Sequence, residues 1–210
     1  LDICPDTEPQ DAADSKGCSD AQVDSDGDGI CDPGAISNGP NACVGSDNCP
    51  TIQNLDQTDV NGDGFGDACV DPTVAIPAGS TVDPTAAIGA NTQISKGVTV
   101  DADVELGTDV NLNKGTTVGE GSTVGDSTTT NQGVTIGANA TIGNNVQIGR
   151  NVVIGDNVVI GNDTVIGKDC VIQSNAVIGN SVRLGSNVTV LDGASVADGE
   201  IVGKNQVVSP

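Results

Sequence analysis

The sequence predicts an all-β chain: a long solenoid of short strands, preceded by an irregular acidic segment without a hydrophobic core. Three observations predict it. An aliphatic residue recurs at every sixth position from Ile76 to Val208, with one exception. Six of the seven cysteines and 16 of the 29 acidic residues lie within residues 1–71. The chain has no Trp, Tyr, Met or His, and Phe65 is its one aromatic. A core of ordinary kind, where aromatics carry much of the buried area, is therefore not available.

Composition excludes several functions. The formal net charge of −22 argues against nucleic acid, whose phosphates call for Lys and Arg. The absence of His removes imidazole bases, imidazole metal ligands and His-based triads. No apolar run approaches the ~20 residues of a membrane span. An opening at Leu1 rather than Met reads as a processed, exported chain or a fragment. Charge then divides the chain. Residues 1–71 hold 16 acids and one base, Lys16; residues 72–210 hold 13 acids and 6 bases. Two domains are expected, 1–71 and 72–210.

The first domain has almost no apolar periodicity, so disulfides and metal ions must replace a core. Carboxylates alternate in Asp24-Ser-Asp26-Gly-Asp28, followed by Gly29, Ile30 and Asp32. The pattern returns as Asp59, Asn61, Asp63, Gly64, Phe65 and Asp67. Oxygens at loop positions 1, 3 and 5 wrap one hard cation, a Gly at 6 allows the sharp turn, position 7 offers its carbonyl and position 9 a further carboxylate. An EF-hand would continue to a bidentate Glu at position 12. Ala35 and Val70 stand there instead, so these are not EF-hands.

The run from Asp47-Asn-Cys49-Pro50 through Asn54, Asp56, Gln57 and Asp59 to Asp67-Ala-Cys69 resembles a thrombospondin type 3 calcium repeat. The likeness implies Ca²⁺ bound by Asp24, Asp26, Asp28, the Ile30 carbonyl and Asp32. A second set is Asp59, Asn61, Asp63, the Phe65 carbonyl and Asp67, with Asp47, Asn54 and Asp56 leading in. In such a family the ion is architectural. Six cysteines allow 15 pairings; consecutive pairing of Cys4 with Cys18, Cys31 with Cys43 and Cys49 with Cys69 suits short local loops. An even count in this context implies an oxidising, extracellular setting.

In the second domain the aliphatic series starts at Ile76, Val82 and Ile88 and runs to Val202 and Val208, with Thr130 as the exception. Two residues before most anchors stands a small or β-branched side chain, as at Val98, Thr116, Ala140 and Cys170. Alternation puts both on one face of a short strand. Three residues after the anchors stand mostly Gly, Asn or Asp, which tolerate positive φ. Each unit is thus a strand and a tight corner. Ile136-Gly137-Ala-Asn139-Ala140-Thr and Ile154-Gly155-Asp-Asn157-Val158-Val resemble the hexapeptide repeat of left-handed parallel β-helices, over residues 74–209. That likeness implies about 7 coils of 18 residues and a prism roughly 35 Å long.

Many hexapeptide-repeat proteins are acyltransferases that use a His base. With no His, no long loop leaving the prism, and Cys170 placed inward, the expectation is a chain without catalytic residues. A band of outward valines (Val153, Val159, Val165, Val171, Val177) marks an expected contact with a neighbour. The C-terminal stretch shows no capping helix, and an uncapped coil is a template for another chain. The expected function is a secreted, calcium-stabilised structural protein, a subunit of a fibril or stalk that self-associates; the alternative is a surface adhesin. Sequons at Asn139, Asn162 and Asn187 are compatible with glycan attachment.

Overall fold

A computed structural model describes residues 4, 12–59, 64–66, 68–69 and 74–210. The chain forms two compact units, Leu1–Pro72 and Thr73–Pro210.

The first unit has little regular structure among its described residues: one 3₁₀ turn, Asp20–Gln22, and isolated bridges such as Ile30 to Val44. Its order comes from cross-links. Disulfides join Cys4–Cys18, Cys31–Cys43 and Cys49–Cys69. Four of those cysteines, Cys4, Cys18, Cys31 and Cys43, pack with Val23 and Ala35 as the apolar cluster. Acidic side chains hold loops by accepting backbone N–H groups, which satisfies donors that a sheet or helix would otherwise pair. Asp14 Oδ1 accepts from Lys16 N and Cys18 N, and Asp20 Oδ1 from Asn41 N at 2.9 Å. The Ser37 hydroxyl also donates to Asp14, and this bond and the Cys18 N–H hold the Asp14 carboxyl below its ordinary range.

The second unit is a parallel β-helix. Twenty-two strands of two residues run from Thr81–Val82 to Val207–Val208. Every third strand joins the same sheet, giving three parallel sheets of eight, seven and seven strands. Register advances by one coil of 18 residues: Thr135 faces Val153 and Ile136 faces Ile154. In each strand the first side chain turns outward and the second inward, so the aliphatic column forms the core. Ile136, Ile142, Ile148, Ile154, Ile160, Ile166, Ile172 and Ile178 are fully buried, stacked coil on coil. The column two residues earlier (Val98, Val104, Val146, Val158, Cys170, Ala176) is buried as well.

Two positions depart from the simple pattern. Ile76, the first of the periodic series, is half-buried and outside any strand; the first strand begins at Thr81. Thr130 lies inward as its column requires, with its hydroxyl 2.9 Å from that of Thr116 and accepting from Asn113 N. A buried hydroxyl is tolerated when it is hydrogen-bonded.

The corners take positive φ. Asn139, Asn145, Asn151 and Asn157 have φ of 54, 56, 55 and 56°, the left-handed region that Asn enters more readily than most side chains. One corner carries a ladder in which a side-chain oxygen of each coil accepts the backbone N–H of the coil before. Thr108 N donates to Asp126 Oδ1, Asp126 N to Asn144, Asn144 N to Asn162, Asn162 N to Asn180 and Asn180 N to Asp198, at 2.7–2.9 Å. The glycine before each rung makes room for it. A Cβ on Gly161 would sit 2.6 Å from Asn180 N and 2.8 Å from its Oδ1, closer than real contacts allow.

Candidate functional site

Two regions offer chemistry. The first is the acidic loop at 24–32. Asp24, Asp26 and Asp28 alternate along a chain reversed by Gly27 and Gly29, with φ of 75 and 90°. The reversal brings one carboxylate oxygen of each to within 4.8 Å of the others. Carboxylate oxygens also tie the loop to itself: Asp24 Oδ1 accepts from Gly27 N at 2.9 Å, Asp24 Oδ2 from Gly29 N at 3.0 Å, and Asp28 Oδ1 from Ile30 N at 2.7 Å.

A second segment closes over this loop. Asn54 N donates to Asp28 Oδ2 at 2.9 Å, and Gln53 Nε2 donates to the Asp26 carbonyl at 2.6 Å. Asp47 comes with that segment and is 3% exposed. Its Oδ1 accepts from Cys49 N at 2.7 Å and Gln57 Nε2 at 2.8 Å, but its Oδ2 has no partner. Asp26 Oδ2 is likewise buried and unpaired. Burial, together with the like charges of Asp28, Asp47 and Asp24, pushes the Asp26 carboxyl above its ordinary value. Buried carboxylate oxygens without a donor are costly unless a cation satisfies them. The donor set is all oxygen, which suits a hard divalent ion such as Ca²⁺.

The other residues of the expected sites fall out as follows. Asp32 is engaged by Ser25, from N at 3.2 Å and from Oγ at 2.5 Å, rather than gathered with the three. Ile30 follows in the same loop and bridges to Val44. The Asn54 side chain belongs to an amide network, donating to Asn48 Oδ1 and accepting from Gln57. Asp56 is exposed and accepts from Thr58 N at 3.4 Å. Asp59 Oδ2 accepts from Gly64 N at 3.0 Å, and Phe65 is half-buried. Asn61, Asp63 and Asp67 lie outside the described residues. Asn48 and Gln57 hold Asp47 and Asn54 in place. Both stand within the run 47–69 that carries the thrombospondin type 3 resemblance, though not among the ligands expected from it.

The second region is the outer surface of the β-helix. Val153, Val159, Val171 and Val177 are 44, 42, 38 and 45% exposed, and Val165 is half-buried. They pair in register, Val153 with Val171 and Val159 with Val177, so two adjacent sheets each carry an apolar pair. Cys170 is inward and fully buried, its thiol 3.0 Å from the Gly185 carbonyl; burial pushes that thiol above its ordinary value, the opposite of what a nucleophile needs. Asn139 and Asn187 are exposed at corners, whereas Thr164 of the middle sequon is buried.

Comparison with known proteins bears on this second region. Residues 127–162, 145–180 and 163–198 match the bacterial transferase hexapeptide (six repeats) family, which supports a left hand for the coil. No curated protein matches. Among solved structures, the UDP-N-acetylglucosamine acyltransferase of Francisella novicida shares 16% identity over 61% of this chain and 60% of its own, with a TM-score of 0.52. The UDP-N-acetylglucosamine acyltransferase of Campylobacter jejuni shares 17% over 63% and 66%, with a TM-score of 0.45. This chain thus spans about 60% of the length of the first of these enzymes. At such identities the likeness is one of fold.

These findings correct two expectations. The chain was expected to be a structural protein or adhesin without catalysis. The repeats matched at 127–198 are those of a family described as bacterial transferases, which overturns that expectation. The missing His is not decisive. Imidazole is one proton acceptor among several, and carboxylates serve as general bases in other enzymes. Among the described residues no helix is long and apolar enough to cross a membrane.

Proposed function

We propose that the β-helix is the scaffold of an acyltransferase acting as a homo-oligomer, and that the N-terminal unit is its calcium-binding module. The match of residues 127–198 to the transferase hexapeptide family carries the first part. The reaction would be acyl transfer to a hydroxyl or amine of a sugar acceptor, the kind of compound named for the Francisella enzyme. The acceptor's oxygen or nitrogen bonds to the acyl carbon, the bond to the donor's leaving group breaks, and the acceptor's proton passes to a base. With no imidazole in the chain, a carboxylate would serve as that base. The paired valines on adjacent sheets, Val153 with Val171 and Val159 with Val177, would seat a second copy.

The test is direct. The full chain is incubated with an acyl thioester and UDP-N-acetylglucosamine, and the acceptor is weighed by mass spectrometry. A gain of one acyl group supports the reading; no gain on this or on a panel of amino sugars removes it. Val159→Lys with Val177→Lys should shift the sedimenting mass to that of the monomer.

For the N-terminal unit the carrying observation is the pair of buried, unpartnered oxygens on Asp26 and Asp47 beside Asp24 and Asp28. They support Ca²⁺ as the bound ion and a thrombospondin type 3-like repeat as its setting. The three disulfides favour an extracellular location. Calorimetric titration should show saturable Ca²⁺ binding that Asp26→Asn with Asp47→Asn weakens at least tenfold. Titration without heat or saturation would exclude the metal.

A further inference from the structure

The β-helix holds six cationic residues, and five of them share one edge. Lys96, Lys114, Arg150, Lys168 and Lys204 occupy a single corner column, with Gln132 and Ser186 filling its two gaps. Arg183 is the sixth, and its strand, Arg183–Leu184, leads into the same corner at Gly185 and Ser186. The other two corner columns carry no cation. The one that follows the first sheet holds Glu120, Asp156 and Asp192, and the next holds Asp126 and Asp198. The three edges of the prism therefore differ sharply in charge within a unit whose own balance is 13 acids to 6 bases.

The ridge is rigid at its base and free at its tips. Carbonyls of Lys114, Arg150 and Lys168 accept from Gly133 N, Asp169 N and Asn187 N of the following coil at 3.0, 2.8 and 3.0 Å, which fixes their spacing. All five side chains are exposed. Among the described residues only Lys168 makes an ion pair, with Asp169 at 3.7 Å and largely in solvent. Coils lie about 4.8 Å apart, so the cations step by one coil, two, one and two along roughly 29 Å. Such a row presents a single file of positive charge, too narrow for a duplex and matched to one extended anionic chain lying along it. No aromatic residue occurs in 73–210, so the stacking that single-stranded nucleic acid relies on is missing.

We propose that this ridge is a binding track for an acidic polysaccharide, which it presents to the β-helix as a polymeric acyl acceptor. The assignment rests on the acyltransferase reading and adds to it the class of acceptor: a linear polymer of acidic sugars. Recognition is ionic and single-file, so it selects for charge and for length, not for sugar identity.

The experiment measures retention and chemistry separately. Fluorescent polygalacturonate long enough to span the ridge is titrated into the full chain with Ca²⁺ present, at an ionic strength of about 0.01 M, where the Debye length is ~30 Å. Binding is expected to weaken steeply with salt, to be lost for the galacturonate disaccharide and to be absent for dextran. Lys114→Gln, Arg150→Gln and Lys168→Gln together should weaken it at least ~tenfold, an effect of about 1.4 kcal/mol. A charge-moved variant that adds Ala102→Lys, Ala138→Lys and Ser174→Lys should not restore it. Melting curves for the three proteins check that each is folded.

Equal binding by the wild type and the ridge-neutral variant overturns the proposal, and would mean that calcium bridges polymer to the acidic unit. So do recovery in the charge-moved variant, and tighter binding of oligo-dT or polyglutamate than of polygalacturonate. Acylation of the bound polymer supports the acceptor assignment. Acylation of UDP-N-acetylglucosamine but not of the polymer overturns that assignment while leaving the transferase reading. Acylation of neither overturns both, and the retention data then show whether the track itself exists.

Discussion

The two units solve the same problem, the lack of large side chains, by opposite means. In the first, order is concentrated in a few bonds: three disulfides, a handful of carboxylates that collect backbone N–H groups, and a small cluster of cysteines around Val23. In the second, order is spread evenly. Each coil buries one aliphatic anchor per strand and bonds only to the coils on either side, so stability is close to a sum of nearest-neighbour terms. A unit held by few bonds fails when those bonds are cut; a unit built by repetition loses stability one coil at a time. The comparison can be tested by cutting each where it is strongest.

The largest effect should come from removing the cross-links. Closing loops of 12–20 residues is worth about 3 kcal/mol for each disulfide in the chain-entropy account. Reducing agent with EDTA should therefore abolish the first unit's calorimetric transition and leave that of the β-helix in place. Loss of both together would show that the units do not melt independently. Next in size is Ile154→Ala. Ile154 is fully buried between Ile136 and Ile172 in register, and the change should cost the β-helix about 3 kcal/mol. Calcium titration of the first unit should be unchanged by it.

This contrast also explains what the sequence made legible. Repetition writes itself into the chain: the six-residue series from Val82 to Val208 places every strand, since the same contact is specified more than twenty times. The acidic loop was legible through the spacing of Asp24, Asp26 and Asp28, because its geometry is local. The nearness of Asp47 to Asp26 was not legible: the family resemblance made Asp47 a lead-in to the loop at 59–67, and its approach to the first loop depends on a disulfide-stapled path with no periodicity. The basic edge was missed for a different reason. Its residues lie in a column of 18-residue steps, so the net charge of the segment hides them.

Thr130 gives a smaller test, of a place where repetition yields to a local bond. Thr130→Val restores the aliphatic column but strands the Thr116 hydroxyl and the Asn113 N–H that Thr130 now satisfies. The loss of buried partners should outweigh the added apolar area, with a net cost of about 1–2 kcal/mol. Thr116→Val with Thr130→Val should be less harmful than the sum of the two single changes, since neither hydroxyl is then left alone. Strict additivity in a double-mutant cycle would mean that the two hydroxyls do not act as a pair.

The smallest effects lie at the corners, where backbone conformation and side-chain ladder can be separated. Asn157 and Asn145 both have φ of 56°. Asn145 also donates from Nδ2 to Asp163 Oδ1 at 2.8 Å, an exposed rung between coils. Asn157→Ala places an ordinary side chain in the left-handed region and should cost about 1 kcal/mol, whereas Asn157→Gly should be nearly neutral. Asn145→Gly keeps the conformation and loses the rung, and should cost about 0.5 kcal/mol. Chemical denaturation of the four proteins orders these terms. If Asn145→Gly proves as neutral as Asn157→Gly, the rungs contribute nothing and the corners are held by conformation alone. If it costs more than Asn157→Ala, the polar ladder is the stronger bond between coils.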